Sequence, residues 1–173
     1  MNLNIGGGTK RKEGFKNVDL YVTEEGDFKH DVKLGLPDEI EDNSVERIYA
    51  SHIFEHIPTF WWTEDGQLIQ PRIKMMNDCW RVLKPGAQLE IYVPHRLDKC
   101  AYTDPTHEWF MDEMALDHFC VDDEGNLLGE YMREYGYEGS FKKVEAEGVE
   151  HAQVDEYLDP IPTQVHFILE AVK

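Results

Sequence analysis

Cysteine, positive charge and long apolar runs are all scarce in this chain, and each shortage excludes something. Cys79, Cys100 and Cys120 are its only cysteines. Odd in number and far apart, they match neither a disulfide framework nor a paired zinc-ligand spacing, so a reducing, cytoplasmic setting is expected. No stretch approaches the ~20 apolar residues of a membrane-spanning helix, and the N-terminus lacks the basic-then-apolar signature of a secretory signal. Lys and Arg number 17 against 35 acids, a formal charge of −18. A field of that sign repels polyphosphate and argues against nucleic acid as a partner. The one small basic cluster, Lys10-Arg11-Lys12, reads as a solvated loop. Internal repeats, low-complexity tracts and obvious linkers are missing too. What remains is 173 residues, 41% hydrophobic and 12% aromatic, which suits one globular domain over residues 1–173 with a real core.

The organising stretch is Leu3-Asn4-Ile5-Gly6-Gly7-Gly8-Thr9. A short apolar run ends in glycines, and a second run, Phe15 to Tyr21, carries Asp19 near its end. Strand, glycine turn and strand with a terminal carboxylate form the front half of a nucleotide-binding α/β unit. Glycines let backbone approach a ligand, and the turn offers free N–H groups to its polar atoms. The carboxylate can accept hydrogen bonds from ribose hydroxyls.

Further along, Thr23 to Lys29 reads as a polar turn and His30-Asp31-Val32 as a short extended piece. Val45 to Ala50 is the next strand. Ile69, Ile73, Met76, Trp80 and Leu83 recur at steps of four and three, which predicts an amphipathic helix. Lys84-Pro85-Gly86 should stop it, with glycine as C-cap. Leu89, Ile91 and Val93 then alternate with Gln88, Glu90 and Tyr92 as a strand, and helix, stop and strand in that order imply a crossover to a parallel neighbour. Asp104-Pro105 looks like a helix start, predicting a helix over Trp109 to Phe119. Tyr131 to Tyr137 is hard to assign. Phe141 to Glu147 and Gln164 to Val172 suggest an antiparallel pair at one edge of the sheet.

These motifs together resemble the class I S-adenosylmethionine-dependent methyltransferases, most of all the compact ones termed type 11. Leu3 to Gly8 resembles the first cofactor-binding motif, and Phe15 to Asp19 the second strand with its ribose-binding acid. His30-Asp31-Val32 is similar to the segment whose acid meets the adenine amino group. Ala50 to Ile57 resembles the segment after the fourth strand, Arg81 to Leu89 the helix end and fifth strand, and Asp104-Pro105-Thr106-His107 a short motif of a subset. Two departures stand out. Asn4 replaces the usual acid before the first glycine, and Lys10 stands where a third separated glycine belongs.

The resemblance implies a Rossmann-like α/β fold, with a mostly parallel sheet, helices on both faces and an antiparallel edge hairpin. It implies S-adenosylmethionine as cofactor, held by Asn4, Gly6, Gly7, Gly8, Asp19 and Asp31. Ser51 and His52 lie just past a strand end, where ligands of open α/β sheets collect. The expected partner is a small-molecule or glycan acceptor; the oligomeric state stays open. His107, His95 and Asp104 are candidates for activating the acceptor, since histidine suits proton removal near neutrality. Trp61, Trp62 and Trp109 either wall an acceptor pocket or pack in the core.

Three other readings are weighed. A nicotinamide-dependent oxidoreductase also uses a glycine turn and strand-end acid, but fits Lys84-Pro85-Gly86 and the late strand pair poorly. A non-catalytic cofactor-binding module is kept alive by Asn4. A zinc hydrolase is raised by His52-Ile53-Phe54-Glu55-His56, an H-x-x-E-H pattern. That site needs a longer helix, a third ligand and an open position. Pro58 leaves barely more than one turn, so no metal is expected and Glu55 and His56 read as capping or surface groups.

Overall fold

The computed structural model describes residues 1–22, 24–149 and 162–173. In chain order it contains β1 (Asn2–Ile5), β2 (Phe15–Asp19), β3 (Phe28–Lys29), β4 (Val45–Ser51), β5 (Trp61–Trp62), β6 (Leu68–Ile69), α1 (Pro71–Val82), β7 (Leu83–Pro94), α2 (Cys100–Thr103), β8 (Phe141–Val149) and β9 (Gln164–Ala171). Seven strands form one sheet in the order β3-β2-β1-β4-β7-β9-β8, while β5 and β6 make a separate ribbon. From β3 to β7 every pairing is parallel. β9 runs antiparallel to both β7 and β8, so the late strands pair as expected.

Alternation along the strands decides the core. Leu3, Ile5, Ile48, Ala50, Leu89, Ile91, Val93, Val165, Phe167 and Leu169 are fully buried. α1 adds Ile73, Met75, Met76, Cys79 and Val82 to the same apolar cluster, with Pro71 at its first turn, where a missing N–H costs nothing. The intervening strand positions carry a different chemistry. Tyr92 stacks on His166 at 4.2 Å and tilts against Tyr49, Arg47 pairs with Glu90 at 2.6 Å, and Lys12 sits 3.9 Å over the Tyr49 ring. Among the described residues α1 alone exceeds four residues as an α-helix, and it joins the apolar cluster. Helices were expected on both faces; α1 covers the core side, and polar and aromatic side chains of the strands dress the other.

Other local expectations shift for identifiable reasons. α1 ends at Val82, and the chain is already extended at Leu83, where β7 begins. Pro85 disfavours helical geometry at Lys84, so the helix stops before Gly86 and glycine is not its cap. Gly86 instead adopts φ 74° inside the strand. The helix expected over Trp109 to Phe119 does not form; only a 3₁₀ turn, Asp117–Phe119, does. Side chains there satisfy the backbone locally, which competes with helix formation. Asp104 accepts from the Thr106 N–H at 2.8 Å and Asp112 from the Met114 N–H at 3.0 Å. Asp104 accordingly follows α2 as its C-cap and starts no helix. His30-Asp31-Val32 leads into a 3₁₀ turn, Val32–Leu34, capped by Asp31. Tyr131 and Tyr135 lie exposed in a 3₁₀ segment, whereas Tyr137 is buried and donates to the Phe119 carbonyl at 2.9 Å.

Candidate functional site

Parallel register brings the carboxyl ends of β1, β2 and β4 level. Ile5 pairs with Val18 on one side and Ala50 on the other, so Gly6, Asp19 and Ser51 emerge side by side. Nine residues, 6–14, separate β1 from β2 and contain no helix. The glycine loop is therefore held by hydrogen bonds and side-chain contacts in place of a helix. Gly6 donates to the Val18 carbonyl at 3.0 Å, and Lys10 to the Gly7 carbonyl at 2.8 Å. Asn4 Nδ2 donates to Asn17 Oδ1 at 2.9 Å across the buried strand pair.

Each glycine has its own reason. A side chain on Gly7 would meet Asn4 Nδ2 at 2.3 Å and Asn17 Oδ1 at 2.7 Å. Gly7 is small because the asparagine brace fills that space. At Gly6, φ 68°, a Cβ would fall 2.5 Å from the Ile53 side chain. Gly8, φ 53°, has nothing within 4 Å of that position and so leaves its approach open.

Asp19 is half-buried, and its carboxylate accepts from the Gly8 N–H at 2.9 Å and the Tyr21 N–H at 2.8 Å. Each oxygen keeps a further lone pair for a ligand. Asp19 and Asp31 both line a cavity of about 410 Å³, whose apolar wall is Leu20, Tyr21, Val32, Ile53, Ile57 and Trp61. Asp31 spends one oxygen on the Lys33 N–H at 3.0 Å. A second cavity of about 580 Å³ gathers Asn4, Gly6, Gly7, Gly8, Ser51 and His52, together with Lys10, Arg11 and Lys12. The Gly8–Asp19 hydrogen bond ties the two walls together. The eight residues named for cofactor binding thus fall on these two adjoining cavities.

The basic cluster lies in an exposed loop, as expected, but its side chains are engaged. Arg11 pairs with Asp27 and with Glu24 at 3.1 Å, and Lys12 lies over Tyr49. Asp27 in turn accepts from the Asn17 N–H at 2.9 Å. Burial opposes ionisation of Asp27, but Arg11 and that N–H outweigh it and hold the carboxyl below its ordinary value.

The candidates for acceptor activation separate. His95 is 3% exposed; its Nδ1 accepts from the Leu97 N–H at 3.1 Å, its Nε2 faces Glu113 at 3.5 Å, and it lines neither cavity. From the Asp104–His107 motif, Pro105 and Thr106 reach the wall of the smaller cavity. Asp104 and His107 adjoin each other at 3.9 Å without lining it. Hydrogen bonds from Thr106 hold the Asp104 carboxyl below its ordinary value. Trp61 walls the cavity; Trp62 is exposed and lines neither one; Trp109 packs against the core beside Phe54 and Phe119.

Sequence reasoning missed Glu55. It is neither cap nor surface group: its side chain is 2% exposed, His52 Nδ1 lies 3.2 Å from Oε1, and Oε2 has no partner among the described residues. His52 itself holds φ 55°, a left-handed conformation uncommon outside glycine. Nothing local in the sequence marked Ile53 either, which covers Gly6 and walls the cavity.

No protein-family model and no curated protein matches the chain. Solved structures do. A chain from the Haloferax volcanii complex between the Trm112 methyltransferase activator and a methyltransferase is 14% identical, with a TM-score of 0.56 over 99% of this chain and 82% of its own. A SAM-dependent methyltransferase from Aquifex aeolicus is 15% identical, with a TM-score of 0.52 over 99% and 81%. One from Mesorhizobium loti is 11% identical, with a TM-score of 0.52 over 98% and 89%. The chain has the Rossmann-like fold of these methyltransferases. At such identities the likeness concerns architecture, and chemistry has to be argued from the residues.

Proposed function

We propose that this protein binds S-adenosylmethionine across the carboxyl ends of β1, β2 and β4 and transfers its methyl group to a small-molecule or glycan acceptor. One observation carries the reading. A strand-end carboxylate, Asp19, is fixed by the glycine loop's own N–H on the wall of a cavity sized and lined for a nucleoside. Gly8 adds a position where a Cβ would project into open space. Asp19 accepts from the ribose hydroxyls, and Asp31 is assigned the adenine amino group. Leu20, Ile53, Ile57 and Trp61 exclude water from the base. The larger, polar cavity beside Gly6 to Gly8, with Lys10 and Lys12 on its rim, takes the amino-acid end.

The cofactor supplies an electrophilic methyl group on a sulfonium, displaced in line by the acceptor. Alignment accounts for much of such a rate enhancement. The acceptor approaches beside Pro105 and Thr106, so the groups at hand for its nucleophile are His56 and the Asp104–His107 segment. His95, buried away from both cavities, is assigned to positioning the chain that follows β7.

Isothermal titration with S-adenosylhomocysteine tests the proposal. Saturable one-to-one heat is expected, and NAD should give none. Heat with NAD and none with S-adenosylhomocysteine turns the assignment to a nicotinamide enzyme. Binding without methylation of any acceptor in a broad screen leaves a non-catalytic module, a reading favoured by the closure of Gly6 under Ile53.

A further inference from the structure

We propose that Glu55, His56 and His107 form a binding site for one divalent first-row transition-metal ion. The inference stands on these side chains alone and does not depend on the methyl-transfer reading. One ligand atom from each residue lies within 4.8 Å of the others. Backbone packing, not chance proximity of surface groups, joins the two segments. The Glu55 carbonyl accepts from both the Glu108 N–H at 2.8 Å and the Trp109 N–H at 3.0 Å.

Hydrogen bonding assigns both imidazole tautomers. The single Thr106 hydroxyl proton goes to Asp104 Oδ1 at 2.6 Å, so Thr106 Oγ1 accepts from His56 Nδ1 at 2.8 Å. His107 Nδ1 lies 3.0 Å from the Ala101 carbonyl, which can only accept. Both rings are therefore protonated at Nδ1, and in the neutral form each keeps a bare Nε2 lone pair. Histidine ligands are oriented in this way when the second nitrogen donates to a carbonyl or hydroxyl. The third donor is Glu55, whose Oε2 is buried without a partner among the described residues. A carboxylate oxygen in that state is costly unless a donor or a cation meets it.

Bonds of ~2.0–2.2 Å place the donors of one ion at most about 4.4 Å apart, so small side-chain rotations close the observed spread. Two imidazoles and one carboxylate suit zinc and its first-row neighbours better than calcium or magnesium, which prefer all-oxygen shells. Three protein ligands leave coordination positions open. His56 also lines the smaller cavity, so an ion here borders the proposed acceptor approach. The expectation of no metal rested on the single turn that Pro58 leaves for a one-helix site; here the ligands come from two segments, and His107, 51 positions after His56, supplies the third.

Zinc titration of the chelator-treated full chain, followed by calorimetry, decides the matter. One ion per chain is expected, with affinity lowered at least tenfold in Glu55→Gln and in His107→Asn and unchanged in Cys100→Ala. No binding to the wild-type chain, or binding indifferent to the first two changes, overturns the site. Should either variant fail to fold, the visible spectrum of the Co²⁺-loaded wild type decides instead. Ligand-field bands without thiolate charge transfer are expected, and a thiolate band moves the ion to a cysteine and overturns the assignment.

Discussion

Replacing Asp19 with asparagine separates the two duties of that carboxylate. In the folded chain it accepts from Gly8 at 2.9 Å and Tyr21 at 2.8 Å, both backbone donors. Asparagine keeps one acceptor oxygen and turns an NH₂ toward the other N–H. One charge-assisted hydrogen bond, worth ~1.5–3 kcal/mol, is lost and the second becomes neutral. Asp19 is half-buried, so water recovers part of that, and a stability loss of about 1–2 kcal/mol is expected by thermal denaturation. The cofactor loses more. The ribose hydroxyls of the proposed ligand would meet a neutral amide in place of a carboxylate, costing roughly 1.5–3 kcal/mol or more. At about 1.4 kcal/mol per tenfold, Kd for S-adenosylhomocysteine should rise ~10- to 100-fold. Calorimetry well below the variant's Tm measures this without interference from unfolding. An unchanged Kd in a folded Asp19→Asn chain refutes the ribose assignment, whatever happens to stability.

Gly7→Ala drives a methyl to 2.3 Å from Asn4 Nδ2 and 2.7 Å from Asn17 Oδ1; breaking that buried pair should cost ~1–3 kcal/mol, read as a lower Tm. Asp27 has a depressed folded-state pKa, so its stabilisation is present above the ordinary carboxylate value of 3.8 and lost as pH falls through the lower, folded one. Asp27→Asn should therefore lower Tm near neutrality and flatten its fall between about pH 4 and pH 2; an acid limb identical to wild type contradicts the role given to Arg11. Of the three thiols only Cys100 is exposed, while burial pushes Cys120 up to about 12 and Cys79 well above its ordinary value. One thiol per native chain should react rapidly with a disulfide reagent near pH 8, and three after unfolding.

Much of the parallel sheet was legible because its signals are local. β4 is rich in β-formers, β7 shows apolar alternation, and the α1 stripe shows a 3.6-residue period, so element type follows from neighbours a few positions apart. Asp19 was legible for the same reason: a strand ends, a carboxylate follows, and parallel pairing can place it only beside the glycine turn. Failures came where side chains compete with the backbone. Asp104-Pro105 has the form of a helix start, yet Asp104 caps a turn through Thr106, and the neighbouring N–H groups of Glu108 and Trp109 go to the Glu55 carbonyl. That long-range pairing is invisible to any window of the sequence, and it is also what assembles Glu55, His56 and His107. Glu55 read as a capping or surface group because burial of a charged residue is rare unless a partner is known. Its side chain meets His52 on its own segment, while its carbonyl reaches the distant Glu108 and Trp109.

The departure at Asn4 has a structural reason that bears on how the site is held. A glycine loop followed by a helix can rely on the helix's first turn to fix its N–H groups. Here nine residues return the chain to β2 with no helix, so that support is gone and a donor must come from elsewhere. Asn4 is 5% exposed and donates to Asn17 Oδ1 at 2.9 Å and toward the Lys10 carbonyl at 3.4 Å. A carboxylate at this position has no proton to give and would face two acceptors in a buried setting. Asn17 answers by donating toward the Gly8 carbonyl at 3.4 Å, and Gly8 donates to Asp19. The change from acid to amide thus converts a position whose resemblance points at the ligand into one that braces the loop presenting Gly8 and Asp19 to it. The helix-free loop and the amide at position 4 therefore go together, and the carboxylate proposed for the ribose is braced through Gly8 by two asparagines two pairs deeper in the sheet.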